Sequence, residues 1–442
     1  MKAWIAGAVC ALALAGASSA QQTPPATPAQ PVTLIQAGRL LDQPGRAPRG
    51  PSTLVVRGTT IEAVRDGFVG PEAFPGAHVV DLRDRFVLPG LIDSHVHLAG
   101  GRAGQAGLIA GVTENLPNHA YEAANNARLT LMAGFTTVRN LGDDGGVTLA
   151  LREETARHRL PGPRIVDAAT SISTTGGHMD ERNGLRDDLR EHAAHNNVCD
   201  GVESCRRSVR EQISRGADVI KIATTGGVNS RVNAGLGAQM FEDEARALIE
   251  TAHLYNRRVA VHAHGDDGVA LAVRLGADSI EHGTLISEAT ARLMARNRTF
   301  YVPTLSTVNG YIERLERDPN AYSGEVLEKI RWRIRVTGEA LRRAVPLGVR
   351  IAFGTDAGVS MHGRNADEFE LMVRHGMTPT TAIQAATVNA AELLGLSEQI
   401  GQLTPGRRAD VIAVSGDPLS DVTVLRNVRF VMRDGRVYRD DR

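Results

Sequence analysis

Six residues spread from position 95 to position 356 share one capability: each can ligate a metal ion. His95 and His97 close the stretch D-S-H-V-H, Lys221 lies inside V-I-K-I-A, and His262 ends V-A-V-H. His282 stands in I-E-H-G, and Asp356 follows F-G-T. Two imidazoles at i and i+2 of a strand point to one face, so His95 and His97 can reach one cation. The pair alone is weak, because histidine also serves as a satisfied core or surface residue. A lysine inside an apolar strand is penalised by desolvation, which drives its pKa down. The alternative is a lysine that snorkels to water at the strand end. A neutral amine can add carbon dioxide, and the resulting carbamate can bridge two cations. Asp356 alone could be a loop or N-cap residue; beside four histidines and a buried lysine it reads as ligand and general base. Imidazole and carboxylate suit Zn²⁺ and related ions. The set carries the argument, and no single member does.

Residues so far apart in sequence need a scaffold that gathers strand ends. Apolar runs alternate with helical stretches through the middle of the chain. The strands are expected at 91–98, 136–141, 164–169, 218–223, 258–264, 278–283, 299–304 and 350–355, with helices such as 204–217 and 242–256 between them. Eight parallel strands, apolar because both faces are buried, fit a (β/α)₈ TIM barrel, whose active sites lie at the C-terminal strand ends. Segments 32–86 and 399–442 read instead as short strands and turns. They are expected to pair into one small β-sandwich, with the barrel (87–398) inserted between its halves.

Composition sets outer bounds. The 442 residues are 42% hydrophobic, enough for a large core plus a smaller module. Aromatics at 4% leave few stacking platforms, and 50 basic against 50 acidic residues give zero net charge. Neither nucleic acid nor an anionic membrane is therefore an expected partner. Residues 1–20 have the form of a cleavable signal: Lys2, an apolar run from Trp4 to Gly16, then Ser18-Ser19-Ala20. That run is too short to cross about 30 Å of hydrocarbon. Residues 21–31 read as a flexible Pro/Gln-rich tether. A secreted or periplasmic address follows, with no membrane association after cleavage. The mature chain then keeps Cys199 and Cys205, spaced to form a disulfide or to remain free thiols.

The chain resembles the amidohydrolase superfamily, and within it the binuclear imidazolonepropionase-like group that includes prolidase-like and Xaa-Arg or Xaa-Lys dipeptidases and ochratoxinase. The motifs that carry the likeness are V-L-P-G-L-I-D-S-H-V-H (87–97), G-A-D-V-I-K-I (216–222), V-A-V-H-A-H-G (259–265), S-I-E-H-G (279–283) and G-T-D (354–356). Two flanking motifs agree, A-T-V-N-A-A-E-L-L-G (386–395) and G-Q-L-T-P-G-R-R-A-D (401–410). The resemblance implies two divalent ions, with Zn²⁺ expected. His95, His97 and Asp356 would hold one and His262 and His282 the other, bridged by N6-carboxylated Lys221 and a hydroxide. Lys221 separates the chain from the mononuclear deaminase branches and from imidazolonepropionase itself, which lack that lysine.

The resemblance also implies hydrolysis of an amide by the bridging hydroxide, with Asp356 moving the proton. No G-x-S-x-G elbow is present, and no acyl-enzyme is needed. His178, after the glycines of S-T-T-G-G-H, is the candidate contact to the scissile carbonyl; otherwise it is a surface loop histidine. Arg231 is a candidate for a substrate carboxylate or else a solvated loop arginine. His264 shares the face of His262 and is a further substrate contact, and Tyr301 and Thr304 are expected beside the pocket. The expected substrate is an N-acyl amino acid or short peptide that loses its C-terminal amino acid, with a homo-oligomer as the expected assembly. Alternatives are cleavage of amide-linked aromatic amino-acid conjugates, a lactonase or phosphotriesterase, and a non-catalytic binding barrel, which would show a broken ligand set.

Overall fold

The computed structural model describes residues 30–102, 105–143, 145–191, 197–230, 235–322 and 324–441. The expected signal peptide and nearly all of the tether lie outside the described residues. Four strands open the chain: β1 (Val32–Leu40), β2 (Ser52–Arg57), β3 (Thr60–Asp66) and β4 (His78–Pro89). The middle carries β5 (Leu91–Val96), β6 (Phe135–Asn140), β7 (Arg164–Asp167) and β8 (Val219–Ala223). It continues with β9 (Arg258–Ala263), β10 (Ser279–His282), β11 (Phe300–Val302) and β12 (Arg350–Ile351). Three strands close the chain: β13 (Val411–Val414), β14 (Val428–Arg433) and β15 (Arg436–Asp440).

The two chain ends pair as expected, in one seven-stranded mixed sheet of order β15-β14-β13-β4-β1-β2-β3. They meet at β4 and β13, antiparallel, with Val411 opposite Pro89 and Val414 opposite Phe86. Strand alternation dictates which residues it buries. Ile35 and Ala37, Leu54 and Val56, Val80 and Leu82, Val411 and Ala413, and Phe430 and Met432 are i, i+2 pairs in one shared core. The sheet is continuous and bends back on itself, since Thr60 at the start of β3 bridges to Arg408 just before β13. Strand β4 runs to Pro89, so it crosses the boundary expected after residue 86.

All eight anticipated middle strands are present and parallel. Backbone pairing divides them into β5-β6-β7 and β12-β11-β10-β9-β8 rather than one uninterrupted ring. The ladders break where the backbone turns. Asp167 accepts the Ala169 N–H (2.7 Å), and Ala169 adopts a left-handed φ of 56°, which ends β7 early. Strand β12 has only two residues. Hydrogen bonds nevertheless cross both gaps. The Ile172 N–H donates to the Lys221 carbonyl (2.8 Å), and the Ser94 N–H donates to that of Phe353 (2.8 Å).

Helices pack around these strands. The one expected at 204–217 occupies Val202–Arg215 and turns Cys205, Ser208, Val209 and Gln212 inward, one stripe of a helix. It stops at Gly216, whose φ of 104° suits a glycine. The one expected at 242–256 occupies Glu242–Leu254, and the Glu244 carboxylate accepts the N–H of Phe241 at its start (2.9 Å). Cys199 and Cys205 are joined by a disulfide beside the first of these helices. Among the described residues no helix is long and apolar enough to cross a membrane.

One charge cluster fastens the terminal sheet to the central strands. Arg164 of β7 donates to Asp410 and Asp434, each at 2.7 Å, and all three side chains are largely buried. Removing one partner of a buried pair strands the others, at about 3–5 kcal/mol. Arg164→Met should therefore lower the thermal midpoint by several degrees in calorimetry, with the Lys221 pocket unaltered in ligand set.

Candidate metal centre

Five of the six candidate ligands sit on a strand or within one residue of its end: His95 on β5, His97 just past it, Lys221 on β8, His262 on β9 and His282 on β10. Asp356 lies on the loop that follows β12, and its N–H donates to the His95 carbonyl (2.7 Å). All six line one pocket of roughly 110 Å³, together with His178, His264, Tyr311 and Arg333. Imidazole centroids lie close together: 5.4 Å for His95–His97, 5.0 Å for His95–His282 and 4.7 Å for His262–His282. Ligand atoms of His95, His282 and Asp356 all fall within 4.8 Å of one another.

Hydrogen bonding fixes the tautomers. His97 can only donate from Nδ1 to the Gly142 carbonyl (2.7 Å), so its Nε2 carries a lone pair. His95 Nδ1 faces a Glu281 oxygen at 2.8 Å, and the other Glu281 oxygen accepts from Arg139 (2.8 Å). That buried pairing keeps Glu281 an acceptor, so His95 also presents Nε2 unprotonated. His282 donates from Nδ1 to the Thr304 hydroxyl (2.7 Å), which spends its own proton on the Pro303 carbonyl (2.8 Å).

The free lone pairs converge on an anion. His95 Nε2 and His97 Nε2 lie 3.5 and 3.4 Å from the same Asp356 oxygen. Acceptor facing acceptor is unfavourable unless a proton or a cation stands between. Burial pushes the Asp356 carboxyl up, opposed by the charge of Lys221. Burial holds His95, His97, His178, His262, His264 and His282 all below the usual histidine range, with His97 at about 4. They are neutral at pH 7, the form that binds metal.

Lys221 gives the second test of fit. Its side chain is 1% exposed, and Nζ has no hydrogen-bond partner. Burial lowers its pKa, with Glu281 and Asp356 pulling the other way. An amine this isolated is anomalous in a protein interior; a carbamate on Nζ shared between cations would relieve it. Both observations fit a metal centre built from these residues.

The surroundings hold strain and support. His282, Thr304 and Asp356 have left-handed φ of 70°, 48° and 56°, which side-chain-bearing residues seldom adopt. Asp93 ties β5 to the Asp356 segment by accepting from the His95 and Thr355 N–H groups, the Thr355 hydroxyl (2.6 Å) and Asn365 (2.8 Å).

The substrate candidates divide. His178 lies in the pocket, stacked on His262 at 4.0 Å, with Nδ1 held by Ser230. His264 also lines it, its Nδ1 bonded to Thr284 (2.8 Å). Arg231 lies outside the described residues. Tyr301 and Thr304 do not line the pocket. Tyr301 is buried beneath it, donating to the His282 carbonyl (2.9 Å), and Thr304 faces His282. Sequence reasoning missed Asp93, Arg139, Glu281, Tyr311 and Arg333. For Glu281 and Arg139 the signal was available, as a charge inside an apolar strand is what singled out Lys221.

Neutral imidazoles, a carboxylate and an isolated amine gathered at the ends of parallel strands make a candidate divalent-metal site. Residues 86–438 match the amidohydrolase family, and the chain belongs to it. The chain is 31% identical to ochratoxinase from Aspergillus niger, over 92% of this chain and 87% of that protein. Among solved structures it is similar to a Xaa-Pro dipeptidase with methionine bound in its active site, at TM-score 0.87 and 39% identity. That match covers 92% of this chain and 100% of the other. A prolidase complexed with N-methylphosphonate-L-proline matches at TM-score 0.83 and 32% identity, with the same coverage. The protein is a hydrolase acting on amide bonds of small-molecule or peptide substrates, in a family that generally uses a divalent metal.

Lys221→Ala should abolish tight metal binding and leave almost no turnover; normal metal content by elemental analysis would exclude a bridging role. Glu281→Gln keeps an acceptor but loses the charge that fixes His95. Metal affinity should fall about 10- to 100-fold in a chelator competition, with the fold intact by circular dichroism.

Proposed function

We propose that this chain removes the C-terminal amino acid from an N-acyl amino acid or short peptide. The site would be a pair of divalent ions, Zn²⁺ in the simplest case, at the mouth of a closed (β/α)₈ barrel. His95, His97 and Asp356 would hold one ion and His262 and His282 the other, with carboxylated Lys221 between them. The observation that carries the reading is the convergence of all six side chains on one buried pocket. The hydrogen bonds across both gaps between the central sheets support closure. The bent terminal sheet supports a small sandwich-like module from residues 32–86 and 399–442 around a barrel of 87–398.

When bound, the metal pair supplies an activated water and an electrophile for the carbonyl. Asp356, at the centre of the ligand set, accepts the proton of the attacking water and returns it to the departing nitrogen. His178, stacked on His262 at the pocket wall, donates to the oxygen on which charge develops. Burial keeps its ring neutral, so it serves as a hydrogen-bond donor. Most of these groups are buried, and lower local polarity strengthens their interactions.

The relatives support an amino acid as leaving group: one is a dipeptidase holding free methionine, another a prolidase bound to a proline phosphonate. The ochratoxinase likeness favours a second reading, cleavage of amide-linked aromatic amino-acid conjugates. The signal-like residues 1–20 support a secreted or periplasmic enzyme, and a homo-oligomer is the proposed assembly.

The test is a panel of Xaa-Pro, Xaa-Arg and Xaa-Lys dipeptides, N-acyl-phenylalanines, lactones and phosphotriesters on metal-reconstituted protein. Release of a C-terminal amino acid, abolished by a strong chelator and restored by metal, is expected. Turnover confined to lactones or phosphotriesters overturns the peptidase reading.

A further inference from the structure

Three arginines are buried among the described residues: Arg139, Arg333 and Arg433. Arg139 pairs with Glu281 at 2.8 Å and Arg433 with Asp434 at 3.4 Å. Arg333 has no carboxylate within 4.0 Å. It sits on the helix Gly324–Arg335 and is 3% exposed, yet it lines the pocket with Asp356, His264, His282 and Tyr311. A guanidinium has five N–H donors. Arg333 gives one bond to the Thr337 hydroxyl (3.1 Å) and a long one to the Thr304 carbonyl (3.4 Å). Of its two acidic neighbours, Glu368 already accepts from the Leu305 N–H (2.9 Å) and the Ser306 N–H (2.6 Å), and Asp356 faces the imidazoles of His95 and His97.

The same helix also braces the loop that carries Ser230. Lys329, one turn earlier, donates to the carbonyls of Gly227 (3.1 Å) and Ser230 (2.6 Å), and Ser230 holds His178. The helix therefore brings a buried cation, Arg333, into the pocket lining and anchors itself to the neighbouring loop through half-buried Lys329. A buried cation with no carboxylate in contact among the described residues can take one from outside.

We propose that Arg333 is the receptor for the free carboxylate of the substrate, the α-carboxylate of the departing amino acid. The planar fork of donors matches a carboxylate in bidentate fashion, which a lysine at the same place could not reproduce. Arg333 thereby makes the enzyme selective for acids over the corresponding amides. This assignment rests on the peptidase reading above and names the group that the reading requires.

The test compares the best N-acyl amino acid from the panel with its C-terminal carboxamide. Wild type should favour the acid in kcat/KM on the order of 10²-fold. Arg333→Met should raise KM for the acid toward that of the carboxamide and collapse the acid-over-amide ratio, with the metal retained by elemental analysis. Arg333→Lys should restore part of the preference. Equal use of both compounds by wild type, or an undiminished preference in Arg333→Met, overturns the assignment while the peptidase reading stands. Cleavage of neither compound by metal-loaded wild type overturns the peptidase reading, and this assignment with it. Product inhibition of wild type checks the same point without a variant that might misfold. The free amino acid should inhibit at least tenfold more tightly than its carboxamide, and equal inhibition overturns the role of Arg333.

Discussion

Two imidazole lone pairs aimed at one carboxylate oxygen are the constraint around which this molecule is arranged. His95 and His97 cannot turn away, because their other nitrogens are committed to Glu281 and the Gly142 carbonyl. Asp356 cannot withdraw, because its backbone is bonded to His95 and fastened through Asp93, Thr355 and Asn365. The left-handed backbone at His282, Thr304 and Asp356 adds about 1–3 kcal/mol at each residue. Such an arrangement persists when the surrounding structure over-determines it and a positive charge rewards it. The same logic accounts for an unpaired buried lysine beside the carboxylate.

Support for these groups comes from further out in the same layers. Glu281 lies between His95 and Arg139, and Arg139 in turn reaches the Ser94 carbonyl (2.6 Å) and the Ser279 hydroxyl (3.1 Å). Strands β5, β6 and β10 are thereby joined across the interior through one carboxylate. A charge pair so deeply placed adds little net stability over an apolar substitute. What it does supply is orientation, which a ligand set drawn from five separate strands requires.

The convergence of the candidate ligands was legible in the sequence because strand alternation and strand ends are local properties. A histidine at i and i+2, or a charge inside an apolar run, announces itself within a few residues. The eight strands were legible for the same reason, and their limits were less so. Asp167 turns the backbone after β7 through a side-chain bond, and no periodicity reports that. The pocket wall was hidden for a different reason. Arg333 lies in a helix with Arg331 and Arg335 beside it, and only packing distinguishes the buried one. Tyr301 and Thr304 were placed on the correct strand end but assigned to the cavity, whereas both act through His282. The proposed carboxylate receptor lies on a helix, Gly324–Arg335, away from the strand ends that carry the candidate ligands.

The seam between β4 and β13 has an implication for biogenesis. A ribosome emits β4 early, but its antiparallel neighbour emerges only after the entire hydrolytic body. Until then β4 presents open N–H and C=O groups along one side, the kind of template on which chains stick together. Nascent molecules must cross that interval shielded or unfolded, and contacts so distant in sequence form slowly. Assembly of the terminal module is consequently a late event that waits on the emergence of β13.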